Sequence, residues 1–305
     1  MSTTRPSAAR GPRAVAPAPQ RPVAPAAPHP PLRGTAAASV RGVIDTHCHL
    51  GFDDFKGRAD EEIARMRDAG VDLAITISTS SADALRSRDL AMSHPEVWHS
   101  AGIHPLYSDE PIDWGDLREA SKSPKCVAWG ELGLDRHHAK PAFDLQHRVL
   151  HEQLDRISRW RREDRELPIV IHCRKAFDDL LPILAESGLP RDRFVFHCFS
   201  GTPAEAKRVL DLGAWISFTG IVTYRNAPEV AAAAKLVPGD RIMVETDAPF
   251  LSPEPIRSAW PNRPANVVLV ARALASIRGE EEPSFFRALD SNSRRFFGLP
   301  AATVA

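Results

Sequence analysis

Short apolar runs alternate with longer amphipathic stretches along the chain from Val40 onward. The apolar runs have the length of strands and lie at about residues 41–47, 72–78, 97–103, 126–131, 168–172, 194–198, 214–219 and 242–247. The stretches between and after them have helical spacing and include Glu61–Asp68, Ala82–Met92, Phe143–Arg161, Phe177–Glu186, Ala204–Leu212, Pro228–Leu236, Ala265–Ser276 and Pro283–Phe297. Alternating strands and helices predict βαβ units and a parallel sheet.

The number of these units favours an α/β fold of the (β/α)8 TIM-barrel type over an open, doubly wound sheet. No Gly-x-Gly-x-x-Gly or Walker-type loop follows the first strand, which removes the usual reason to expect a nucleotide-binding sheet. The predicted barrel occupies residues 41–300 as one domain.

The first 40 residues have a different composition. They are rich in Ala, Pro and Arg, with five arginines, and no acidic residue precedes Asp45. Repeated prolines interrupt helices and sheet ladders, and they oppose the amphipathic helix of a transit peptide. We therefore expect residues 1–40 to form a disordered tail.

Charge and cysteine content narrow the class of protein. The 305 residues carry a formal net charge of zero, so binding to a nucleic acid would depend on a local cationic patch. No apolar run approaches the length of about 20 residues that a membrane span requires. The four cysteines do not suggest a disulfide framework and are expected to be reduced. We expect a cytoplasmic protein, with a monomer as the default.

Imidazoles and carboxylates follow the predicted strands. They are His47, His49, Glu131, His172, His197 and Asp247. A (β/α)8 barrel builds its active site at the carboxyl ends of its strands, and these side-chain types bind divalent metals in hydrolytic sites. The pattern predicts a metal-dependent hydrolase.

The spacing suggests how two ions would be shared. His47 and His49 lie two residues apart, so both point to the same side of a strand end. Glu131 is the candidate bridge, because a carboxylate can bind two ions and a neutral imidazole cannot. We assign Asp247 to the first ion, with His172 and His197 on the second. In phosphoryl transfer, two ions activate water and neutralise charge. Asp247 is the candidate acceptor of the proton from that water. Asp247 and the bridging Glu131 are therefore the predicted catalytic residues.

Three further residues have candidate roles near this site. His104 could contact a substrate phosphate or leaving oxygen, or it could cap the turn before Pro105. Arg174 could bind phosphate, or pair with a carboxylate of the barrel. Glu245 is expected to accept a hydrogen bond from a ligand histidine rather than to bind metal itself.

An ordered set of motifs resembles the TatD family of metal-dependent deoxyribonucleases, within the amidohydrolase-like barrels. The motifs are Asp45-Thr-His-Cys-His-Leu50, Gly102-Ile-His-Pro105, Gly130-Glu-Leu-Gly-Leu-Asp135, Ile171-His-Cys-Arg174, His197-Cys-Phe-Ser-Gly201 and Glu245-Thr-Asp-Ala-Pro-Phe-Leu251. The resemblance covers residues 41–298. It implies a site for two divalent ions, usually Mg²⁺, with Mn²⁺ or Zn²⁺ as alternatives. It also implies exonuclease-type cleavage of DNA. The six residues named above would then be the metal ligands, and His104 would contact the substrate.

One stretch departs from the family pattern. An Arg-Asn-Glu-Pro-like run is common after the last strand, whereas this chain has Pro261-Asn-Arg-Pro264. Asn262 and Arg263 are therefore candidate substrate contacts, with a cation where the family has an acid.

The predicted function is a 3′–5′ exonuclease acting on single-stranded DNA or 3′ ends. The alternative is a carboxyl-ester or amide hydrolase, such as an aminoacyl-tRNA deacylase or a small-molecule amidohydrolase. Many amidohydrolase barrels bridge their metals with a carbamylated lysine at the end of the fourth strand, whereas Lys125 lies at its start. A non-catalytic, metal-stabilised module would need an incomplete ligand set, whereas every predicted ligand position is filled in this chain.

Trp260, in the loop after the last strand, is the aromatic residue placed to meet a base.

Overall fold

The computed structural model describes residues 42–301, so the predicted tail lies outside the described residues. Eight strands, β1 to β8, are Val43–Cys48, Val71–Thr76, Val97–Ala101, Cys126–Asp135, Ile169–Arg174, Phe194–Phe196, Trp215–Phe218 and Ile242–Val244. Each strand pairs in parallel with the next one along the chain. A parallel bridge joins Cys48 to Ala248, and the His49 N–H donates to the Ala248 carbonyl at 2.7 Å. The predicted TIM barrel is confirmed.

The helices that cover the sheet, α1 to α9, are Ala59–Ala69, Ser81–Ser93, Trp114–Ser121, Phe143–Trp160, Phe177–Glu186, Pro203–Asp211, Pro228–Leu236, Val267–Arg278 and Glu282–Phe297. Local hydrogen bonds set where a helix begins, and α6 begins with a capping box. The Thr202 hydroxyl accepts from the Glu205 N–H, and the Glu205 carboxylate accepts from the Thr202 N–H. α3 was not among the predicted helices, because its eight residues are too few to show a clear period. None of the described helices has the length and apolar character needed to cross a membrane.

An apolar cluster fills the amino end of the barrel. It contains Ile44, Ile75, Val127, Val170, Val195, Trp215 and Met243, together with Phe296, Phe297 and Leu299 from the end of the chain. The Phe296 ring packs on Trp215, with the two ring centroids 5.2 Å apart. Burying large apolar side chains is the main favourable term in folding, so this end of the barrel is built as a core.

Hydroxyl groups occupy the middle of the strands. Thr46 of β1 donates to the Val244 carbonyl at 3.0 Å and lies 3.4 Å from the hydroxyl of Ser217 in β7. Ser100 of β3 donates to the Gly130 carbonyl at 2.6 Å. Side chains therefore change from apolar to hydroxyl to ionisable along the strands, and the ionisable groups lie at the carboxyl end.

Strand β4 is longer than predicted. It continues past Glu131 to Asp135, so Glu131 lies within the strand rather than at its end. Close packing against β5 makes this possible, because a Cβ on Gly133 would come within 1.9 Å of the His172 carbonyl oxygen. Glycine, with no side chain and φ of +151°, lets the two strands approach.

Candidate metal centre

Glu131 lies at the centre of the ionisable cluster. Its Oε1 is 2.7 Å from Nδ1 of His172 and 2.9 Å from Nε2 of His197. Its Oε2 is 3.0 Å from Nε2 of His47. One carboxylate thus faces histidines from three other strands of the barrel, with one oxygen toward β1 and the other toward β5 and β6.

His47, His49 and Asp247 form the β1 side of the cluster. Asp247 Oδ1 is 3.3 Å from Nε2 of His49 and 3.7 Å from Nε2 of His47. Nδ1 of His49 is 3.0 Å from the carbonyl oxygen of Ile77. A proton on Nδ1 satisfies that carbonyl and leaves the Nε2 lone pair for a ligand role, the usual arrangement of a metal-binding histidine.

His172 and His104 form the opposite side. Nε2 of His104 is 3.0 Å from Oε1 of Glu131 and 3.2 Å from Nδ1 of His172. The Leu106 N–H donates to Nδ1 of His104 at 2.9 Å, so the neutral His104 ring carries its proton on Nε2. His104 therefore presents a donor to the site, which fits a contact to substrate better than a metal ligand.

The donor set fits divalent cations. Two groups have ligand atoms within 4.8 Å of one another: His47, His197 and Asp247; and His47, His49 and Glu131. A third group at this spacing is His104, Glu131 and His172, of which Glu131 and His172 are the candidate ligands because Nε2 of His104 carries a proton. Nε2 of His47 and Oε2 of Glu131 are buried and close together, yet neither makes a hydrogen bond. Buried polar atoms are normally paired, and a cation bound between these two atoms would pair both of them.

The electrostatics of the cluster favour an ionised Glu131 and neutral His47 and His104. Burial opposes a charge on His49, His172 and His197 as well, but contacts with the carboxylates of Asp247, Asp135 and Glu131 raise the pKa of these three imidazoles. Burial opposes ionisation of Glu131, but the surrounding imidazoles, first of all His197, lower the pKa of its carboxyl well below the usual range. Burial, aided by nearby His197, lowers the pKa of His47. Burial also lowers the pKa of His104 to about 4. Neutral imidazole is the form that binds metals and donates through one nitrogen.

A buried carboxyl fixes the junction between β1 and the segment after β8. Asp45 accepts hydrogen bonds from the Thr246 N–H at 2.9 Å and from the Thr246 hydroxyl at 2.6 Å. The Asp247 N–H donates to the His47 carbonyl at 2.8 Å, and Asp247 has a left-handed φ of 57°. These bonds set where Asp247 stands relative to the histidines of β1.

Two carboxylates lie behind the cluster. Glu245 accepts from the Cys198 N–H at 2.5 Å, and its Oε1 is 3.5 Å from Nδ1 of His197, at the limit of a hydrogen bond. Asp135 Oδ2 is 3.1 Å from Nε2 of His172. Burial opposes its charge, but His172 lowers the pKa of Asp135 below the usual range. Asp135 was not predicted, although alternation along a strand puts residues 131, 133 and 135 on one face.

A cavity of about 450 Å³ opens over the cluster. Its walls include Phe52, Phe250 and Trp260 on one side and Tyr224 and Arg257 from the neighbouring loops. Arg174, the last residue of β5, also lines it and is exposed. No carboxylate in residues 42–301 forms an ion pair with Arg174, so the salt-bridge alternative is not formed.

Neither of the predicted substrate contacts Asn262 and Arg263 lines the cavity, and both side chains have partners within the protein. Asn262 is fully buried and donates to the carbonyls of Thr246 and Phe250 at 3.2 and 2.7 Å. Arg263 pairs instead with the buried carboxylate of Glu62 in α1. An unpaired buried carboxylate is costly, which explains why the arginine turns toward α1.

Comparison with known proteins agrees with this geometry. The family described as TatD related DNase matches residues 44–298, which is most of the chain and all of the site. The chain belongs to the TatD family of metal-dependent hydrolases. The resemblance predicted from the motifs is thereby confirmed.

Individual TatD relatives are similar over nearly their whole length. The uncharacterized metal-dependent hydrolase YcfH of Escherichia coli is 34% identical over 267 residues, covering 86% of this chain and 98% of the relative. The 3′-5′ ssDNA/RNA exonuclease TatD of Erwinia billingiae is 30% identical over 269 residues, covering 85% and 100%. The crystal structure of YjjV, a TatD homologue from Escherichia coli, has a TM-score of 0.79 and 31% identity, covering 86% and 100%.

Proposed function

We propose that this protein hydrolyses phosphodiester bonds of single-stranded DNA from the 3′ end, using two divalent ions. The observation that carries the proposal is Glu131, whose two carboxylate oxygens face two separate groups of imidazoles. The name of the Erwinia relative, a 3′-5′ ssDNA/RNA exonuclease, supports the choice of bond and polarity. Mg²⁺ is the expected ion, with Mn²⁺ or Zn²⁺ as alternatives.

The side chains divide into two ligand groups around Glu131. His47, His49 and Asp247 would hold the first ion with one of its oxygens, and His172 and His197 the second ion with the other. Bound there, divalent ions would supply Lewis-acid activation of water and charge neutralisation at the phosphoryl group.

Asp247 is placed to take the proton from the attacking water. Its side chain is 15% exposed, the most accessible of the β1-side group, and it lines the cavity. Burial opposes its charge, but the hydrogen bond from His49 lowers the pKa of its carboxyl, so it is ionised near neutral pH. His104 and Arg174 line the cavity, and in this proposal His104 Nε2–H and the Arg174 guanidinium donate to non-bridging phosphate oxygens.

The position of Lys125 argues against an amidohydrolase with a carbamylated lysine. Its ammonium group donates to the carbonyls of His94 and Val97 at 2.6 and 2.9 Å, at the amino end of the barrel. Glu131 occupies the place at the cluster where such a bridge would stand.

The test is cleavage of single-stranded DNA labelled at either end, by metal-stripped protein with Mg²⁺, Mn²⁺ or Zn²⁺ added back. We expect stepwise shortening from the 3′ end that needs metal. Asp247→Asn should lower turnover about 10²–10⁴-fold, the usual contribution of a general base. Asp192→Asn, at an exposed carboxylate of the amino end, is the matched control and should cleave at the parent rate.

DNA that stays intact with every metal, from folded protein that binds the ions, would contradict the nuclease proposal. An aminoacyl-ester and amide panel assayed in parallel then decides the alternative. Hydrolysis of an aminoacyl ester or amide that depends on Asp247 would assign the site to that class.

A further inference from the structure

Trp260 is an exposed aromatic side chain at the mouth of the candidate site. Three large hydrophobic side chains of residues 42–301 are exposed, Met92, Leu236 and Trp260, at 57%, 57% and 55%. Of these, Trp260 alone lines the cavity over the metal ligands. Exposing an indole ring costs hydrophobic free energy, so its position in a ligand cavity points to a function.

The indole ring is held in place rather than free to collapse onto the surface. Its Nε1–H donates to Asp54 at 3.1 Å, and its centroid is 5.7 Å from that of Phe250. The loop that carries it is tied internally, because the Ser252 hydroxyl donates to the Ala259 carbonyl at 2.6 Å. Asn262 donates to the Phe250 carbonyl and fixes the other end of the loop. A pre-positioned side chain thus leaves 55% of its surface exposed to a ligand.

The ring lies close to the candidate metal ligands. The Phe250 centroid is 6.4 Å from that of His49, and the Trp260 centroid is one further step of 5.7 Å away. The His49 and Trp260 rings are therefore no more than about 12 Å apart, within the reach of a phosphate and its neighbouring base. A phosphate at the metal ligands would therefore bring a neighbouring base to the indole.

Charge distinguishes the surroundings of the base from those of the phosphates. Arg174 and Arg257 line the cavity; the Arg257 guanidinium lies 3.8 Å from the centroid of the Tyr224 ring and 3.9 Å from the carboxylate of Glu254. Beside Trp260 stands the carboxylate of Asp54, which repels phosphate. The backbone of a bound strand is drawn to the arginines, and its base faces the aromatic wall.

We propose that Trp260 stacks on the nucleobase next to the scissile phosphate and so sets the preference for unpaired strands. The inference rests on the proposed nuclease function. A base inside a duplex is already covered on both faces, whereas an unpaired base can place one face on the indole, whatever its sequence. Trp260 is then a specificity-determining residue of the site.

The test compares wild type, Trp260→Ala and Trp260→Phe on a single-stranded oligodeoxynucleotide with Mg²⁺ or Mn²⁺. For Trp260→Ala we expect KM to rise about tenfold or more, with kcat changed less than about twofold, as for truncation of a stacking ring. Trp260→Phe loses the bond to Asp54 but keeps a ring, and should retain most of the affinity. Leu236→Ala, equally exposed on α7, is the control and should match wild type.

A second substrate isolates the stacking contact. With abasic residues at the last three positions of the oligodeoxynucleotide, wild type and Trp260→Ala should have the same KM. A thermal melt of each variant confirms that the proteins compared are folded.

The outcomes separate the two proposals. Wild type that cleaves no oligodeoxynucleotide overturns the nuclease function and the inference with it. Wild type that cleaves, beside a folded Trp260→Ala with unchanged KM, overturns the inference alone. A KM difference that persists on the abasic substrate also overturns it, because the indole would then act without a base.

Discussion

The two ends of the barrel are built from the same eight strands but contain opposite chemistry. At the amino end, Ile75, Val170, Trp215 and Phe296 form a dry apolar cluster that the last helix closes. At the carboxyl end, four imidazoles converge on Glu131, and Asp247 lies beside His47 and His49. The difference shows how one fold separates stability from function.

Physical cost explains the separation. Grouping ionisable side chains away from water is unfavourable unless they are paired or bind an ion. The apolar cluster of the amino end supplies favourable burial that can offset this cost. Substitutions at the amino end should therefore lower stability, and substitutions at the carboxyl end should lower hydrolysis. The reverse result would contradict this comparison.

The largest effect is expected at the carboxyl end, from Glu131→Ala. Removing the shared carboxylate should lower hydrolysis by about a thousandfold or more, the scale on which losing one charge-stabilising group lowers turnover. Metal content should fall as well, measured by elemental analysis after dialysis, while unfolding stays cooperative. Glu152→Ala, at a 47% exposed glutamate of α4, is the matched control. A Glu131→Ala protein as active as the parent would remove the bridging role.

The next effect is expected at the amino end, from Phe296→Ala. Phe296 is 1% exposed, and truncating a buried Phe lowers the free energy of unfolding by about 3–5 kcal/mol. Urea unfolding measures this, and the rate per folded molecule should stay close to that of the parent. Phe296→Leu should lose less, because it leaves a smaller cavity. A folded Phe296→Ala protein that has lost turnover but keeps the parent's free energy of unfolding would contradict the comparison of the two ends.

A smaller effect is expected from a histidine outside the cluster. Burial lowers the pKa of His99 in β3 to about 4, from 6.5 in the unfolded chain. The unfolded chain therefore binds a proton first as pH falls, so this contribution is complete above pH 6.5 and is lost between pH 6.5 and 4. Between pH 7 and 5, wild type should lose about 2 kcal/mol more unfolding free energy than His99→Leu. The free energy of unfolding of both proteins is measured by urea unfolding at each pH. If it changes with pH by the same amount in both, His99 does not titrate in this way.

Particular residues show where prediction from sequence succeeded. The strand-length apolar runs and their alternation with helices led to the barrel, because period and length are local properties. The aromatic residues near the end of the chain were expected in the core, and Phe285, Phe286, Phe296 and Phe297 are indeed buried. The order of the motifs along the chain is enough to indicate the TatD family.

Other residues have partners that the local sequence does not report. Asn262 and Arg263 are predicted to contact substrate; in the structure Asn262 donates to loop carbonyls, and Arg263 pairs with Glu62, about 200 positions away in the chain. Asp135 was overlooked because its partner His172 lies on the neighbouring strand. The extent of β4 depends on its close packing against β5, which its own residues do not report.

The sequence by itself determined the fold class, the family and the types of side chain available for metal binding, since these follow from periodicity and motif order. Only the tertiary structure decided which atoms meet. It set the sharing of Glu131 between two groups of histidines, the protonated nitrogen of His104, the pairing of Arg263 with Glu62 and the exposure of Trp260 at the cavity. The physical reason is that hydrogen bonds, burial and charge act over a few ångströms, between residues that the barrel brings together from distant parts of the chain.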